Sequence, residues 1–241
     1  MKFRKIKNIF FVGIGGIGMS GIAELLHNLS FTISGSDVNE NENVTRLKDI
    51  GIKVCIGHHP TNINGFDALV YSSAIPMENP EIIRARQKGI PVIRRAEMLG
   101  ELITVKETSI AVGGTHGKTT TSSMIGTILQ HAKKDPTLVV GGLVQNLNSN
   151  SNFGKGEIIV VEADEFDRSF LALKPTISLV TNIELEHTDC YSNLQDLKDA
   201  FIQFCKSVPF YGESIVCIDS PAVREILPYI ERPMTTYGRS R

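Results

Sequence analysis

The chain has 241 residues, of which 41% are hydrophobic and 21% are charged, and its formal net charge is −1 at pH 7. This composition is typical of a globular protein with one large or two modest domains, and the charge excludes a broad basic field of the kind that binds nucleic acid. No apolar run is long enough to span a bilayer, and the four cysteines are widely spaced without a C-x-x-C pair. We therefore expect a cytoplasmic protein with reduced thiols, no membrane insertion and no nucleic-acid partner.

Strand and helix patterns alternate in the first half of the chain. We predict strands at 9–12, 31–34, 54–56, 68–71 and 91–93, and helices at 18–29, 44–50 and 80–88. The first helix carries its leucines and Ile22 on one face, and Pro80 stands at the first position of the third helix, where proline is favoured. Repeated strand–helix units predict a parallel sheet with helices on its faces, as in Rossmann-like folds.

A first glycine loop lies between the first strand and the first helix. The range Gly13–Gly18 has the sequence G-x-G-x-x-G, and Asp37 follows the second predicted strand, where a dinucleotide fold carries its ribose-binding acid. Backbone N–H groups at a helix N-terminus favour phosphate. The pattern indicates NAD or another nucleotide diphosphate, and the alternative is a tight turn without a ligand.

Polar residues also follow the fourth and third predicted strands. Ser72 and Ser73 come directly after the strand at 68–71, so they lie at the edge of the sheet where ligands bind and could donate to phosphate or sugar. A plain serine turn explains them equally well. His58 and His59 have the same ambiguity, since a loop surface is the simplest place for adjacent histidines.

A second series of strands and helices begins near residue 108. We predict strands at 109–112, 138–140, 158–161, 177–180, 215–218 and 234–238, and helices at 119–131, 194–207 and 222–227. The polar segment 145–155 is rich in asparagine and serine and is predicted to be a loop. Two glycine loops, each after its own opening strand, predict two α/β domains at 1–106 and 107–241. A second domain that stops at residue 241 would be incomplete or unusually small.

The second glycine loop has the composition of a phosphate-binding loop. It departs from the pattern G-x-x-x-x-G-K-[ST] because Val112 stands where the first glycine is expected and Gly113 follows one residue late. Lys118 can reach the β- and γ-phosphates, and the Thr119 hydroxyl can ligate Mg²⁺. The loop indicates ATP or GTP, and the alternative is a glycine-rich turn that binds nothing.

Two further candidates follow predicted strands of the second domain. Glu162 is the first acid after the buried strand at 158–161, where Mg²⁺ would be held beside a phosphate loop, whereas Asp164 fits a solvated acidic turn. His187 follows the strand at 177–180 at about the same edge. The simpler interpretation of His187 is an exposed loop histidine.

These motifs resemble the Mur ligases of peptidoglycan synthesis, and the resemblance runs through nearly the whole chain. The matching segments are Gly13–Gly21, Ser34–Asp37, Tyr71–Ile75, Arg95–Leu99, Gly114–Thr121, Glu162–Glu165 and Thr181–Glu184. The late glycine after Val112 is the form that this family uses. His116 is similar to the branch of the family that acts on UDP-N-acetylmuramate.

The resemblance implies two binding sites. The N-terminal domain would bind the UDP of UDP-N-acetylmuramate, and not NAD, through Gly15, Gly16, Ile17, Gly18, Asp37, Ser72 and Ser73. The central P-loop-type domain would bind ATP through Gly114, Thr115, His116, Gly117, Lys118, Thr119 and Thr120. One Mg²⁺ would be held by Thr119 and Glu162 and a second by His187, so that Lys118 and His187 are the catalytic candidates.

The resemblance also implies a reaction. ATP would phosphorylate the muramate carboxylate, and the amine of L-alanine would then attack the acyl phosphate. Members of the family carry the rest of the central domain and a third, C-terminal domain that this chain lacks, so we expect it to be incomplete for catalysis. The alternatives are a recycling ligase that attaches a preformed peptide to the same sugar nucleotide, an NAD-dependent oxidoreductase and a non-catalytic nucleotide-binding module.

Overall fold

The computed structural model describes residues 6–144, 149–186 and 189–239. The chain divides into two compact units, one formed by Met1–Met98 with Gly141–Phe153 and the other by Leu99–Val140 with Gly154–Arg241. Two sheets built mainly from parallel strand pairs, with helices between many of the strands, confirm the predicted α/β class. Within the described ranges no helix is both long and apolar enough to cross a bilayer.

The first sheet has five parallel strands. The elements in chain order are β1 (Asn8–Val12), α1 (Ile17–Asn28), β2 (Thr32–Asp37), α2 (Glu42–Asp49), β3 (Lys53–Ile56), β4 (Ala68–Tyr71), α3 (Pro80–Gln87), β5 (Val92–Arg94) and α4 (Arg95–Ile103). The strand order is β3-β2-β1-β4-β5, so the central strand β1 has β2 on one side and β4 on the other. This reversal of strand order opens a crevice at the carboxyl end of β1, where ligands bind in such sheets.

The second sheet has seven strands, with β6 at its centre. The elements are β6 (Thr108–Gly113), α5 (Lys118–His131), β7 (Thr137–Val144), β8 (Ser149–Asn152), β9 (Ile158–Glu162), β10 (Ile177–Val180), α6 (Leu194–Lys206), β11 (Glu213–Cys217), α7 (Pro221–Ile226) and β12 (Met234–Tyr237), with 3₁₀ turns at Phe166–Ala172 and Leu227–Tyr229. The order is β12-β11-β10-β6-β9-β7-β8. Since β9 and β10 flank β6 in parallel, a second crevice lies at the carboxyl end of β6.

Buried side chains show why the central strands form. Phe10, Phe11 and Val12 of β1 are at most 1% exposed, which is expected of a strand covered on both faces by helices. Ile22 and Leu26 of α1 are buried on one side of that helix, as the apolar periodicity predicts. The first glycine loop is therefore held between two buried elements.

Two elements differ from the sequence prediction beyond their ends. β8 lies within the segment that we predicted to be a loop, whereas residues 145–148 of that segment lie outside the described residues. Pairing of the backbone with β7 forms this strand in spite of the low strand propensity of asparagine and serine. Helix α4 was not predicted, although its buried residues Met98, Leu99, Leu102 and Ile103 follow a helical spacing.

Candidate functional site

The first glycine loop connects β1 to α1 at the carboxyl edge of the first sheet. Gly13 has φ of +76°, a conformation that favours glycine, and the backbone N–H groups of Gly13 and Ile14 donate to the carbonyl oxygen of Ser36 at 2.9 and 3.1 Å. The N-cap of α1 is Gly16, which has no side chain to cap the helix. The first turn of α1 is therefore suited to an anion such as phosphate.

Asp37 is the last residue of β2, and not, as we predicted, a residue beyond the strand. Its Oδ2 atom accepts a hydrogen bond from the backbone N–H of Gly15 at 2.8 Å, and a Cβ atom built on Gly15 would lie only 2.9 Å from that oxygen. The amide groups of Asn41 and Asn43 donate to the carbonyl oxygen of Gly15 at 3.2 and 3.0 Å. Asp37 therefore holds the loop in shape, a role that the motif alone did not reveal.

Side chains from two other strand ends lie beside this loop. Ser72 follows β4, and its Cβ atom is 3.5 Å from the position that a Cβ on Gly13 would take, while the neighbouring Ser73 is exposed. A Cβ on Gly18 would lie 3.1 Å from Nη1 of Arg95. Arg95 thus brings a cation to the start of α1, where it would attract phosphate. We did not predict this role, although Arg95 follows a strand at the same edge.

The second glycine loop connects β6 to α5 at the carboxyl edge of the second sheet. Val112 is fully buried within β6, so the strand continues one residue further than in the standard motif and the loop begins later. Gly114 has φ of +133° and a Cβ there would collide with Oγ1 of Thr181, whereas Gly117 has φ of +81° in open space. The loop backbone can therefore take a form that only glycine allows, as a phosphate loop requires.

Lys118 is folded back over this loop. Its Nζ atom donates to the carbonyl oxygens of Gly114 and Thr115 at 2.8 and 3.3 Å and pairs with Oε2 of Glu165 at 2.7 Å. The Glu165 side chain is only 1% exposed, and a buried carboxylate is costly unless it is paired. Sequence reasoning missed Glu165, which is the second glutamate of the motif Glu162–Glu165.

The segment after β10 fixes the middle of the loop. The Thr115 hydroxyl donates to the carbonyl oxygen of Glu184 at 3.0 Å and accepts from its N–H at 2.9 Å, and the N–H of His116 donates to Oδ1 of Asn182 at 2.9 Å. The half-exposed His116 ring lies 3.5 Å from the Glu184 carboxylate and 3.4 Å from that of Glu186. These bonds hold Thr115 and His116 to the segment after β10. That the same two residues contact ATP stays a prediction.

The predicted magnesium ligands occupy neighbouring elements. Glu162 is the last residue of β9, not the first beyond it, and it pairs in register with Val112 at the end of β6. Thr119 is exposed in the first turn of α5. A hydroxyl and a carboxylate are oxygen donors that suit Mg²⁺. His187, predicted to hold a second ion, lies outside the described residues.

An arginine clamp supports the turn that carries Glu165. Asp167 and Arg168 both have positive φ, at 51° and 60°. Nη2 of Arg168 bonds both oxygens of Asp196 at 2.6 and 2.7 Å, and its guanidinium lies 4.9 Å above the Tyr191 ring. The hydrogen bond from Arg168 lowers the pKa of Asp196. The Tyr191 hydroxyl donates to the carbonyl oxygen of Glu165 at 2.6 Å, so the strained turn is held from two sides.

Comparison with known proteins places the chain in a family. Residues 8–107 match the model described as "Mur ligase family, catalytic domain", and residues 112–241 match the "Mur ligase middle domain". The chain belongs to the Mur ligase family. This confirms the resemblance that the glycine loops and strand-end motifs indicated.

Several Mur ligases are similar over nearly the whole chain. The UDP-N-acetylmuramate–L-alanine ligases of Sorangium cellulosum and Myxococcus xanthus are 51% and 52% identical, over 98% and 99% of this chain and 50% of each relative. The chain spans about half the length of the curated relatives it matches.

Solved Mur ligase structures also share the fold. The crystal structure of the UDP-N-acetylmuramate-alanine ligase from Thermotoga maritima matches with a TM-score of 0.83 at 29% identity, covering 97% of this chain and 53% of that one. The UDP-N-acetylmuramate:L-alanyl-gamma-D-glutamyl-meso-diaminopimelate ligase from Neisseria meningitides matches with a TM-score of 0.87 at 25% identity, covering 96% and 78%. These two Mur ligases differ in the amine substrate that their names give.

Proposed function

We propose that this chain forms the sugar-nucleotide site and the ATP phosphate loop of a ligase that joins L-alanine to UDP-N-acetylmuramate. The observation that carries the proposal is the presence of two different glycine loops, Gly13–Gly18 and Gly113–Lys118, each at the end of the central strand of its own sheet. An NAD-dependent oxidoreductase needs only the first loop. The names of the relatives, about half identical to this chain, support the ligase.

The first loop is proposed to bind the UDP group. The N–H groups at the start of α1 would bind the diphosphate, and the nearby guanidinium of Arg95 would offset its charge. Asp37, Ser72 and Ser73 complete the proposed contacts. We also propose that the boundary between the two domains lies near residue 106 of the chain, since one family match ends at 107 and the other begins at 112.

The second loop is proposed to bind the phosphates of ATP. Lys118 is already held at this loop, and Thr119 and Glu162 would hold a magnesium ion with their oxygen atoms. The ion would neutralise charge on the phosphate oxygens. We propose His187 for a second ion on the resemblance alone.

The reaction follows from the poor leaving group of a carboxylate. A muramate carboxylate oxygen would attack the γ-phosphorus of ATP, ADP would leave, and the amine of L-alanine would displace phosphate from the acyl carbon with loss of a proton. Lys118 would stabilise the charge that develops on the transferred phosphoryl group, which is the main requirement of this step. We propose that the reaction takes place in the cytoplasm, since the four widely spaced cysteines are typical of reduced thiols.

The second candidate is a ligase that attaches a preformed peptide to the same sugar nucleotide. The similarity to the ligase from Neisseria meningitides, with a TM-score of 0.87, favours keeping it. Both candidates use the same two loops and differ only in the amine.

Phosphate release tests the two candidates. Two chimeras join residues 1–241 to the C-terminal region of the Sorangium cellulosum relative or of the Neisseria meningitides ligase, and each is assayed with ATP, Mg²⁺, UDP-N-acetylmuramate and the amine that its donor's name gives. Turnover with L-alanine by the first chimera alone supports the first candidate, and turnover with the peptide L-alanyl-gamma-D-glutamyl-meso-diaminopimelate by the second chimera alone supports the second. Phosphate release that does not require UDP-N-acetylmuramate would contradict both, and the donor ligase of each chimera is its positive control.

A further inference from the structure

A fully buried carboxylate lies behind the first glycine loop. Glu81, the second residue of α3, is 0% exposed. Its Oε2 atom lies 2.6 Å from Oγ of Ser36 and 3.0 Å from Nδ1 of His58, and its Oε1 atom accepts from Nδ2 of Asn62 at 2.7 Å and from the N–H of His59 at 3.3 Å. Four donors therefore converge on the two oxygens, which satisfies the capacity of a carboxylate.

The hydrogen positions in this cluster follow from the distances. Ser36 is also 0% exposed and has a single hydroxyl proton, which its short contact assigns to Glu81. The Nδ1 atom of His58 lies 2.9 Å from Ser36 Oγ and 3.0 Å from Glu81, so the ring nitrogen is the donor there. In this arrangement both oxygens of Glu81 accept, and a side chain without two acceptor oxygens at position 81 would leave buried donors unsatisfied.

Ser36 connects this cluster to the glycine loop. Its carbonyl oxygen accepts the N–H groups of both Gly13 and Ile14, and the next residue, Asp37, accepts the N–H of Gly15. Three successive N–H groups of the loop are thus held by two adjacent residues at the end of β2. Glu81 accepts a hydrogen bond from the side chain of Ser36, and the carbonyl oxygen of the same serine accepts the N–H groups of Gly13 and Ile14.

We propose that Glu81 is a positioning residue for the sugar-nucleotide site, acting through Ser36 to hold the first glycine loop in its binding conformation. The proposal rests on the proposed function of that loop. Glu81 also ties the loop after β3 to the start of α3 through His58, His59 and Asn62. Since ligand binding to a preformed loop avoids the cost of ordering it, loss of Glu81 should weaken nucleotide binding.

Calorimetric titration of the 241-residue chain with UDP-N-acetylmuramate tests the proposal. Glu81→Gln has nearly the same shape but offers one acceptor oxygen, so we expect the dissociation constant to rise about tenfold. Glu78→Gln, at an exposed glutamate in the turn before α3, is the matched control and should bind like the wild type. Binding of ATP with Mg²⁺ by Glu81→Gln should be unchanged, since the loop proposed to bind ATP belongs to the second sheet and Glu81 lies beside the first.

A milder variant keeps the test valid if Glu81→Gln folds poorly. Ser36→Ala removes the hydroxyl but keeps the carbonyl that holds the loop. If Glu81 acts through Ser36, the double variant Ser36→Ala, Glu81→Gln should have a dissociation constant within about twofold of that of Glu81→Gln. If the two residues act independently, the fold-increases in the dissociation constant of the two single variants would multiply. The amide resonances of Gly13 and Ile14 should shift in either single variant, which a general loss of stability would not produce.

The outcomes separate the proposal from the proposed function. A wild-type chain that does not bind UDP-N-acetylmuramate would overturn both. Wild-type binding with an unchanged dissociation constant in Glu81→Gln and Ser36→Ala, accompanied only by a lower melting temperature, would overturn the positioning role and leave the proposed function standing. Multiplicative effects in the double variant would also overturn it.

Discussion

Lys118 and Glu165 form an ion pair, with 2.7 Å between Nζ and Oε2, that links the second glycine loop to the turn after β9. The lysine is also bonded to two carbonyl oxygens of its own loop, and the carboxylate is buried. Glu165 thus keeps the lysine over the loop and would share it with the phosphates when ATP binds. The ion pair therefore predicts separate effects on stability and on nucleotide binding.

Substitution of Lys118 by methionine should affect both properties. Removing the cation takes from the buried Glu165 carboxylate the lysine with which it pairs, so we expect a loss of about 3 kcal/mol in the free energy of unfolding, together with loss of ATP binding. The double variant Lys118→Met, Glu165→Gln should recover most of the stability but not the binding. Urea denaturation and ATP titration measure the two effects.

Lys134→Met, at an exposed lysine of the same unit, is the control for Lys118 and should change neither property. ATP binding by Lys118→Met at wild-type affinity would contradict the proposed role of the phosphate loop.

Two glycines of the phosphate loop should respond differently to alanine. At Gly117 the added Cβ meets open space, so Gly117→Ala should cost about 1 kcal/mol, which is the penalty of its positive φ. At Gly114 the Cβ also collides with Thr181, so Gly114→Ala should cost about 2–3 kcal/mol and weaken ATP binding further. Equal losses of unfolding free energy in the two variants would show that the described loop conformation is wrong.

Asp37 should tolerate asparagine better than alanine. Asparagine keeps an oxygen that can accept the N–H of Gly15, whereas alanine removes it and should raise the dissociation constant for UDP-N-acetylmuramate about tenfold. We expect Asp37→Asn to bind within about threefold of the wild type, and Asp49→Ala, at an exposed acid of α2, to have no effect. Equal losses in Asp37→Asn and Asp37→Ala would indicate that the charge, not the loop bond, is what matters.

The four cysteines should differ in reactivity. Burial raises the pKa of the Cys205 thiol to about 12, whereas Cys55 is exposed. At pH 8 we expect a thiol reagent to modify Cys55 rapidly and Cys205 only on unfolding, because the thiolate is the reactive form. Cys55→Ser should remove the fast phase, and fast modification of Cys205 in the folded protein would contradict its placement.

The same thiol predicts how stability changes at high pH. Because the pKa in the folded state lies above the ordinary value of 9.0, the folded protein retains the proton when the unfolded chain has lost it. The contribution of Cys205 to stability is therefore complete below pH 9 and falls as the pH rises towards 12. Cys205→Ala should flatten this part of a plot of unfolding free energy against pH.

Local patterns were sufficient to predict the two glycine loops and their supports. β4 and β10 have the predicted bounds, and α1 and α5 begin within one residue of the predicted positions, because apolar periodicity and glycine act over short stretches of chain. The parallel direction of the strands in the first sheet follows from the same repeated units. The class of the fold was therefore available from the sequence.

Glu81 and Glu165 could not be found in this way. Each is a buried carboxylate that bonds to a residue far away in the sequence. Glu81 bonds to Ser36 at a separation of 45 residues, and Glu165 bonds to Lys118 at a separation of 47. A single sequence does not show such contacts. β8 was missed for a related reason, since strand pairing and not composition forms it. The roles of both glutamates become visible only when strand ends from distant segments meet at one edge of a sheet.

Calorimetric titration of the 241-residue chain with UDP-N-acetylmuramate, with NADH in a parallel titration, tests the central claim most directly. We predict saturable binding of UDP-N-acetylmuramate that Asp37→Ala weakens, and no binding of NADH. Binding of NADH without binding of UDP-N-acetylmuramate would contradict the account and favour an oxidoreductase.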